Sequence, residues 1–152
     1  RHGVDIRLGA GVEALEGGEQ VEAVVLQDGT RLPADLVIVG IGLDLTEVFR
    51  FARATERSGV LERLFTPAEL AGAPKERLAG RFAAKEAIAK AIGAPKGLVW
   101  TDVEVLSDEG GRPYMKSYET VAARLAELGV NRVFVSITHD AGVAAAMVVC
   151  ES

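Results

Sequence analysis

The sequence predicts an α+β fold in which helices pack on an antiparallel sheet, with a strand-rich extension at the N-terminal side. Three observations carry this reading. Residues 132–138 alternate apolar and polar, residues 143–149 are almost wholly apolar, and the polar turn His139-Asp140-Ala141-Gly142 lies between them, so the pair reads as a hairpin. Residues 78–92 are Ala-rich, free of Pro, and closed by Gly93 and Pro95, which makes them the strongest helix in the chain. Strand-type segments crowd the first 41 residues. Helices set between strands that can pair antiparallel define the class.

The elements follow in order. Residues 4–8 alternate as a short strand, residues 20–27 are β-rich, and Asp28-Gly29 is a hairpin turn signal. Residues 36–41 read as a buried strand ending in Gly40 and Gly42. Thr46 is placed to cap a helix running to about Arg57, with Val48, Phe51, Ala52 and Thr55 on one face and Arg50, Arg53 and Arg57 on the other. Ser58-Gly59 breaks it before a helical turn at 60–65. Thr66-Pro67-Ala68-Glu69 is a capping-box pattern with Pro at the first helical position. After the long helix come a strand at 103–106, a turn at 108–111, a return strand at 112–115 and a helix at 119–128 ended by Gly129.

The composition narrows the class of function. The chain has 152 residues, is 49% hydrophobic and 26% charged, and so carries enough apolar material for a packed core. A net charge of -5 argues against a generic nucleic-acid binder. One cysteine, Cys150, excludes an internal disulfide framework and a cysteine-built metal site. The longest apolar runs, at 36–43 and 143–150, are too short to span a bilayer, and nothing at the start reads as a signal peptide. The expectation is a cytoplasmic domain with no membrane and no nucleic-acid partner. The charge is unevenly spread: residues 50–96 hold ten Lys/Arg against five Glu, and the rest of the chain is strongly acidic. A basic centre on an acidic protein suits a phosphate-bearing ligand or an acidic partner, or is simply a solvated helix surface.

Polar groups that folding does not require are the candidates for chemistry. Asp44 follows a buried strand and a Gly-x-Gly pair, Glu86 lies in the Ala-rich helix with Lys85 beside it and Lys90 at i+4, and His139-Asp140 tops a hairpin. Carboxylates from separate elements are hard oxygen ligands suited to Mg²⁺, which keeps waters and substrate phosphates in the rest of its shell. Lys90, one turn beyond Glu86, would stand beside such a phosphate. Each has a plainer reading: a helix N-terminal acid for Asp44, an exposed i,i+4 pair for Glu86 and Lys90, ordinary turn chemistry for His139-Asp140. Gly40-x-Gly42 is no dinucleotide fingerprint, because Leu45 stands where the third glycine belongs.

From Val37 onward the chain resembles the holo-acyl-carrier-protein synthases, the small bacterial type of 4′-phosphopantetheinyl transferase. The resemblance rests on IVGIGLDLTEVFRFARA (38–54), RLFTPAEL (63–70), RFAAKEAIAKAIGAP (81–95), Gly-Arg-Pro at 111–113 and FVSITHDAGVAAAMVV (134–149), which follow the family's order. Thr138 stands where the family usually has serine, and the loop between Leu70 and Leu78 is short. Residues 1–42 resemble the inner strands of a pyridine-nucleotide–disulfide reductase-type flavoprotein but lack its Gly-rich turns, so no flavin or nicotinamide is expected there. Two parts follow: an extension over 1–36 and a transferase domain over 37–152.

The resemblance implies Mg²⁺-dependent transfer of phosphopantetheine from coenzyme A to a serine of apo acyl carrier protein, releasing 3′,5′-ADP. It implies Asp44 and Glu86 as metal ligands, and Lys90, His139 and Asp140 as catalytic residues. Arg81, Lys85, Lys90, Gly111, Arg112, Pro113, Ser136, Thr138 and His139 would contact coenzyme A. Arg50, Arg53 and Arg57 would dock the acidic carrier, and the assembly would be a homotrimer. The competing readings are an inactive fusion that binds coenzyme A or only folds, and a flavoprotein reductase fragment.

Overall fold

The computed structural model describes residues 5–18 and 20–152. The chain divides between Val37 and Ile38, Ser152 grouping with the first part.

The first unit is an antiparallel meander of β1 (Val12–Gly17), β2 (Val21–Leu26) and β3 (Arg31–Pro33). Val21, Ala23 and Leu26 of β2 supply its buried side chains. Asp28-Gly29 makes the β2–β3 turn: Gly29 takes a φ of 82°, and the Thr30 amide donates to Asp28 Oδ1 at 2.9 Å. The strand expected at 4–8 is not found. Val4 lies outside the described residues, and Asp5 to Leu8 pair with no strand, leaving Ile6 76% and Leu8 92% exposed.

The second unit is built on a three-stranded antiparallel sheet in the order β4 (Ile38–Glu47), β8 (Val143–Glu151), β7 (Arg132–Asp140). Here the sequence reading of β4 needs correction. The strand continues through Asp44 and Thr46 to Glu47, in unbroken register with β8 from Gly40↔Cys150 to Glu47↔Val143. Thr46 therefore caps nothing. The first amide of α1 (Val48–Ala54) donates instead to Gly142 O at 2.9 Å, in the β7–β8 turn. Asp44 lies inside a strand rather than after one.

The reason is an inverted polarity pattern. Along β4, Ile41, Leu43 and Leu45 point outward and are more than half exposed, while Gly40, Gly42, Asp44 and Thr46 point toward α4 (Lys75–Ala91). The two glycines admit the helix. A Cβ on Gly40 would collide with Ala91 O, and one on Gly42 with Ala87 O, so the α4 backbone rests directly on the strand. The alanines of α4 serve the same close approach: Ala83, Ala84 and Ala87 are fully buried beside Ile88, Ala146, Val148 and Cys150. Burying a side chain the size of Ile88 contributes about 1.5–3 kcal/mol.

The remaining elements close the core. The hairpin of β5 (Val103–Ser107) and β6 (Pro113–Ser117) and the helix α5 (Glu119–Glu127) add Val103, Val105, Val121 and Leu125. A second cluster joins Phe51 of α1 to Phe65, Leu78, Ala79 and Ala144. Between them lie α2 (Val60–Leu64), entered through Gly59 at φ 76°, and α3 (Pro67–Leu70). The capping box read from the sequence is formed: the Glu69 amide donates to Thr66 Oγ1, and the Thr66 amide donates to Glu69 Oε2. Helix α1 ends at Ala54 and not near Arg57, because Thr55 turns its hydroxyl back onto Phe51 O and Ala52 O at the helix end.

Candidate functional site

The sheet and α4 bring together residues far apart in the chain. Lys90 Nζ lies 2.7 Å from Asp44 Oδ1 and donates also to Leu43 O at 3.0 Å. The other carboxylate oxygen, Asp44 Oδ2, accepts from Thr46 Oγ1 at 3.3 Å. Glu86 lies one helical turn before Lys90 on α4, so both side chains share one side of the helix. Burial and, next, the Asp44 carboxylate push the Glu86 carboxyl above its ordinary range, with Lys90 opposing them. Asp44 and Glu86 line a cavity of about 730 Å³ walled by α1, α2, α4 and β4, with Arg50 and Phe82 also in its lining.

These groups have the chemistry of a hard-cation site. Two carboxylates from different elements face one cavity, and their mutual repulsion is only partly relieved by one lysine. A divalent cation would neutralise the pair, and the open cavity leaves room for the water and phosphate oxygens that Mg²⁺ retains.

The other expected site residues are more dispersed. His139 and Asp140 end β7 rather than sitting in its turn, which consists of Ala141 and Gly142 at positive φ. His139 Nδ1 lies 3.7 Å from Glu76 Oε1, in the first turn of α4, and both side chains are more than half exposed. Asp140 Oδ1 accepts from the Ala141 amide. Ser136 and Thr138 lie exposed on the outer face of β7 beside Phe134, opposite to the α4 face. Gly111, at φ 82°, Arg112 and Pro113 form the end of the β5–β6 hairpin. Arg112 and Pro113 line a separate cavity of about 290 Å³ with Phe134. One chain therefore gathers Asp44, Glu86 and Lys90, and holds Gly111, Arg112, Pro113, Ser136 and Thr138 elsewhere.

Two lysines of the motif have opposite fates. Lys85 is wholly buried, and its ammonium donates to Glu69 Oε2 at 2.8 Å, Trp100 O at 2.8 Å and Val103 O at 2.6 Å. All three protons are engaged inside the protein, so the expected ligand contact gives way to a structural role. Burial lowers the Lys85 pKa, and the hydrogen bond and charge of Glu69 work against that fall. Glu69 also accepts from the Val105 amide at 3.0 Å. Arg81, half-buried on α4, donates to Glu69 O, and burial lowers its pKa from the usual arginine value.

The three arginines are all exposed. Arg50 faces the cavity, Arg53 stacks its guanidinium 5.9 Å from the Phe49 ring, and Arg57 lies beyond the helix end. Sequence reasoning missed Thr46, masked as a presumed cap, and the Thr66–Glu104–Tyr118 hydrogen bonds (2.7 and 2.9 Å), for which no motif exists.

Comparison with known proteins defines the class. Residues 40–148 match the sequence profile of the 4′-phosphopantetheinyl transferase superfamily. A holo-[acyl-carrier-protein] synthase of Streptomyces coelicolor is 54% identical over 120 residues, 75% of this chain and 98% of that protein. The crystal structure of the holo-[acyl-carrier-protein] synthase from Neisseria meningitidis superposes with a TM-score of 0.67 at 34% identity, covering 76% of this chain and 100% of that one. A synthase–coenzyme A complex from Chronobacterium ammoniagenes superposes with a TM-score of 0.65 at 34% identity, covering 73% of this chain and 95% of its own. The chain belongs to this superfamily, among the holo-[acyl-carrier-protein] synthases. Residues 1–61 also match, more weakly, the profile of pyridine nucleotide-disulphide oxidoreductases, overlapping the first match from residue 40.

Proposed function

We propose that this chain transfers 4′-phosphopantetheine from coenzyme A to a serine hydroxyl of apo acyl carrier protein, with Mg²⁺ bound and 3′,5′-ADP released. The observation that carries the reading is the meeting of Asp44 and Glu86 on one cavity, with Lys90 paired to Asp44. In the reaction the serine oxygen attacks the phosphorus bearing the pantetheine arm. The new O–P bond forms as the bond to the bridging oxygen breaks, the hydroxyl proton is lost, and that oxygen leaves with the 3′,5′-ADP. Asp44 and Glu86 would hold the cation, whose charge neutralises the pyrophosphate. Lys90 is placed to stabilise the charge gathered on the transferred phosphoryl group, in a reaction whose catalysis is mostly positioning and electrostatics. Arg50 in the cavity lining, with Arg53 and Arg57 beyond it, offers cationic docking for an acidic carrier.

The reading extends to assembly. The outer face of the β4-β8-β7 sheet exposes Ile41, Leu43, Leu45, Phe134 and Met147, and a contiguous exposed apolar surface is the kind that marks an interface. A homotrimer formed on it would bring the Ser136–Thr138 strand face and the Arg112-Pro113 cavity of one copy toward the Asp44 site of the next. Coenzyme A would then lie between copies, with Arg81, Gly111, His139 and Asp140 completing its contacts. Among the described residues no helix is long and apolar enough to cross a membrane, which accords with a cytoplasmic setting.

The test is the intact mass of apo acyl carrier protein after incubation with this chain, coenzyme A and MgCl₂, with an EDTA control. Gain of one phosphopantetheine, absent with EDTA, is the expected result; no gain, or equal gain with EDTA, overturns the reading or its metal. Asp44→Ala and Glu86→Ala should each lower the rate by roughly 100-fold or more, the equivalent of several kcal/mol of charge stabilisation, while the folded state persists in circular dichroism.

A further inference from the structure

We propose that Lys90 is the resident counter-cation of Asp44 in the metal-free protein, and that an arriving divalent cation displaces it from that carboxylate. The inference rests on the reading of Asp44 as a metal ligand and adds an exchange at the same oxygen. Asp44 is the fixed partner: its side chain is 16% exposed, it stands mid-strand in register with Ala146, and Thr46 Oγ1 holds its second oxygen. Lys90 is the movable one, 51% exposed on a four-carbon stem near the end of α4. Its ammonium spends one donor on Asp44 Oδ1 at 2.7 Å and another on Leu43 O at 3.0 Å.

A hard cation binds a carboxylate oxygen at about 2.0–2.1 Å, inside the shell the ammonium now fills. The two positive charges cannot share Oδ1 closely without strong repulsion, and the less solvated, better anchored carboxylate stays while the lysine moves. The ion pair thus holds Asp44 poised while the cation is absent. Its rupture frees the ammonium, still within reach of the Leu43 carbonyl, for the anionic ligand that the cation accompanies. One lysine then serves two anions in turn.

The consequence is competition, read with metal alone. Mn²⁺ affinity is measured by electron paramagnetic resonance on the full chain without coenzyme A, for the wild type, Lys90→Met, Lys90→Gln and Asp44→Asn. Removing the competitor should tighten Mn²⁺ binding in both Lys90 variants by about 2–10-fold, the range of a partly exposed ion pair plus the relieved repulsion. Asp44→Asn should weaken it strongly. A second readout follows Lys90 itself: saturating Mg²⁺ should raise its rate of amine acetylation, measured by peptide mass spectrometry, and should leave the rate unchanged in Asp44→Asn. Unchanged or weaker Mn²⁺ binding in the Lys90 variants, with Asp44→Asn still impaired, overturns the exchange and leaves the metal site standing. Equal binding, or none, in wild type and Asp44→Asn overturns the metal reading and the exchange with it.

Discussion

Lys85 and Glu69 form an ion pair at 2.8 Å with neither side chain exposed at all. The carboxylate also takes the Thr66 and Val105 amides, and the ammonium takes the carbonyls of Trp100 and Val103. One buried pair thereby ties α3, α4 and β5 together. Because Lys85 immediately precedes Glu86, it also fixes which side of α4 meets the core and which meets the cavity.

Breaking that pair from one side should be costly. Lys85→Met leaves Glu69 charged and without its cation, and should destabilise the fold by about 3–5 kcal/mol in urea titrations. Adding Glu69→Gln removes the stranded charge and keeps an acceptor for one of the two amides. The double variant should recover part of the loss. A double variant no more stable than Lys85→Met would show that the cost lies in lost packing and not in the uncompensated carboxylate.

Gly42 should tolerate no side chain. An added methyl group meets Ala87 O, a backbone atom that cannot rotate away, so Gly42→Ala must push α4 off β4. The expected cost is about 1–3 kcal/mol. Transferase activity should fall further than stability does, since the same displacement separates Glu86 and Lys90 from Asp44. Activity retained at full rate in a folded Gly42→Ala variant would refute this coupling.

Glu86 predicts a pH dependence of stability in EDTA. Its folded carboxyl is held above the ordinary range, by burial first and then by Asp44. A carboxyl raised in the folded state binds more protons there than in the unfolded chain. Its contribution is therefore complete below the unfolded pKa and disappears as pH rises through the folded one. Glu86→Gln removes that dependence, so the thermal midpoint of the variant should gain on wild type as pH climbs from about 4 toward neutrality. A constant difference across that interval would contradict the assignment.

Leu43 tests the proposed assembly. Its side chain is 57% exposed on the outer sheet face opposite Met147 of β8, away from the Asp44 side of the strand. Leu43→Asp would place a charge in the centre of any interface built there, a cost of several kcal/mol when desolvated. Light scattering should show a trimer for the wild type and a monomer for the variant. A monomeric wild type at micromolar concentration would remove the trimer from the account.

Much of this architecture was legible in the residues. The hairpin at 28–29, the capping box at 66–69 and the long helix all rest on local chemistry that determines its own geometry. Strand β4 was misread for a physical reason. Its inward positions are Gly, Gly, Asp and Thr and its outward ones are aliphatic, so a reading that places apolar residues inside ends the strand at Ile41, before those polar inward positions. The division of labour between Lys85 and Lys90 was hidden for a related cause. Helix α4 spreads seven charged residues among its alanines without gathering them on one side, and such a helix carries no polarity stripe to say which lysine faces the core. The pairing of Glu69 with residues 16 and 36 positions away is set by tertiary contact and leaves no local trace.

The bare contact between Gly40, Gly42 and the α4 main chain acts as a ruler for the site. The spacing from Asp44 to Glu86 and Lys90 is set where backbone touches backbone, and peptide groups are the one component that every substitution leaves in place. Side chains deeper in the core can drift over generations, exchanging one aliphatic shape for another, without changing that distance. Tolerance to such drift is thus concentrated away from the ruler, whose two glycine positions are defined by having no side chain.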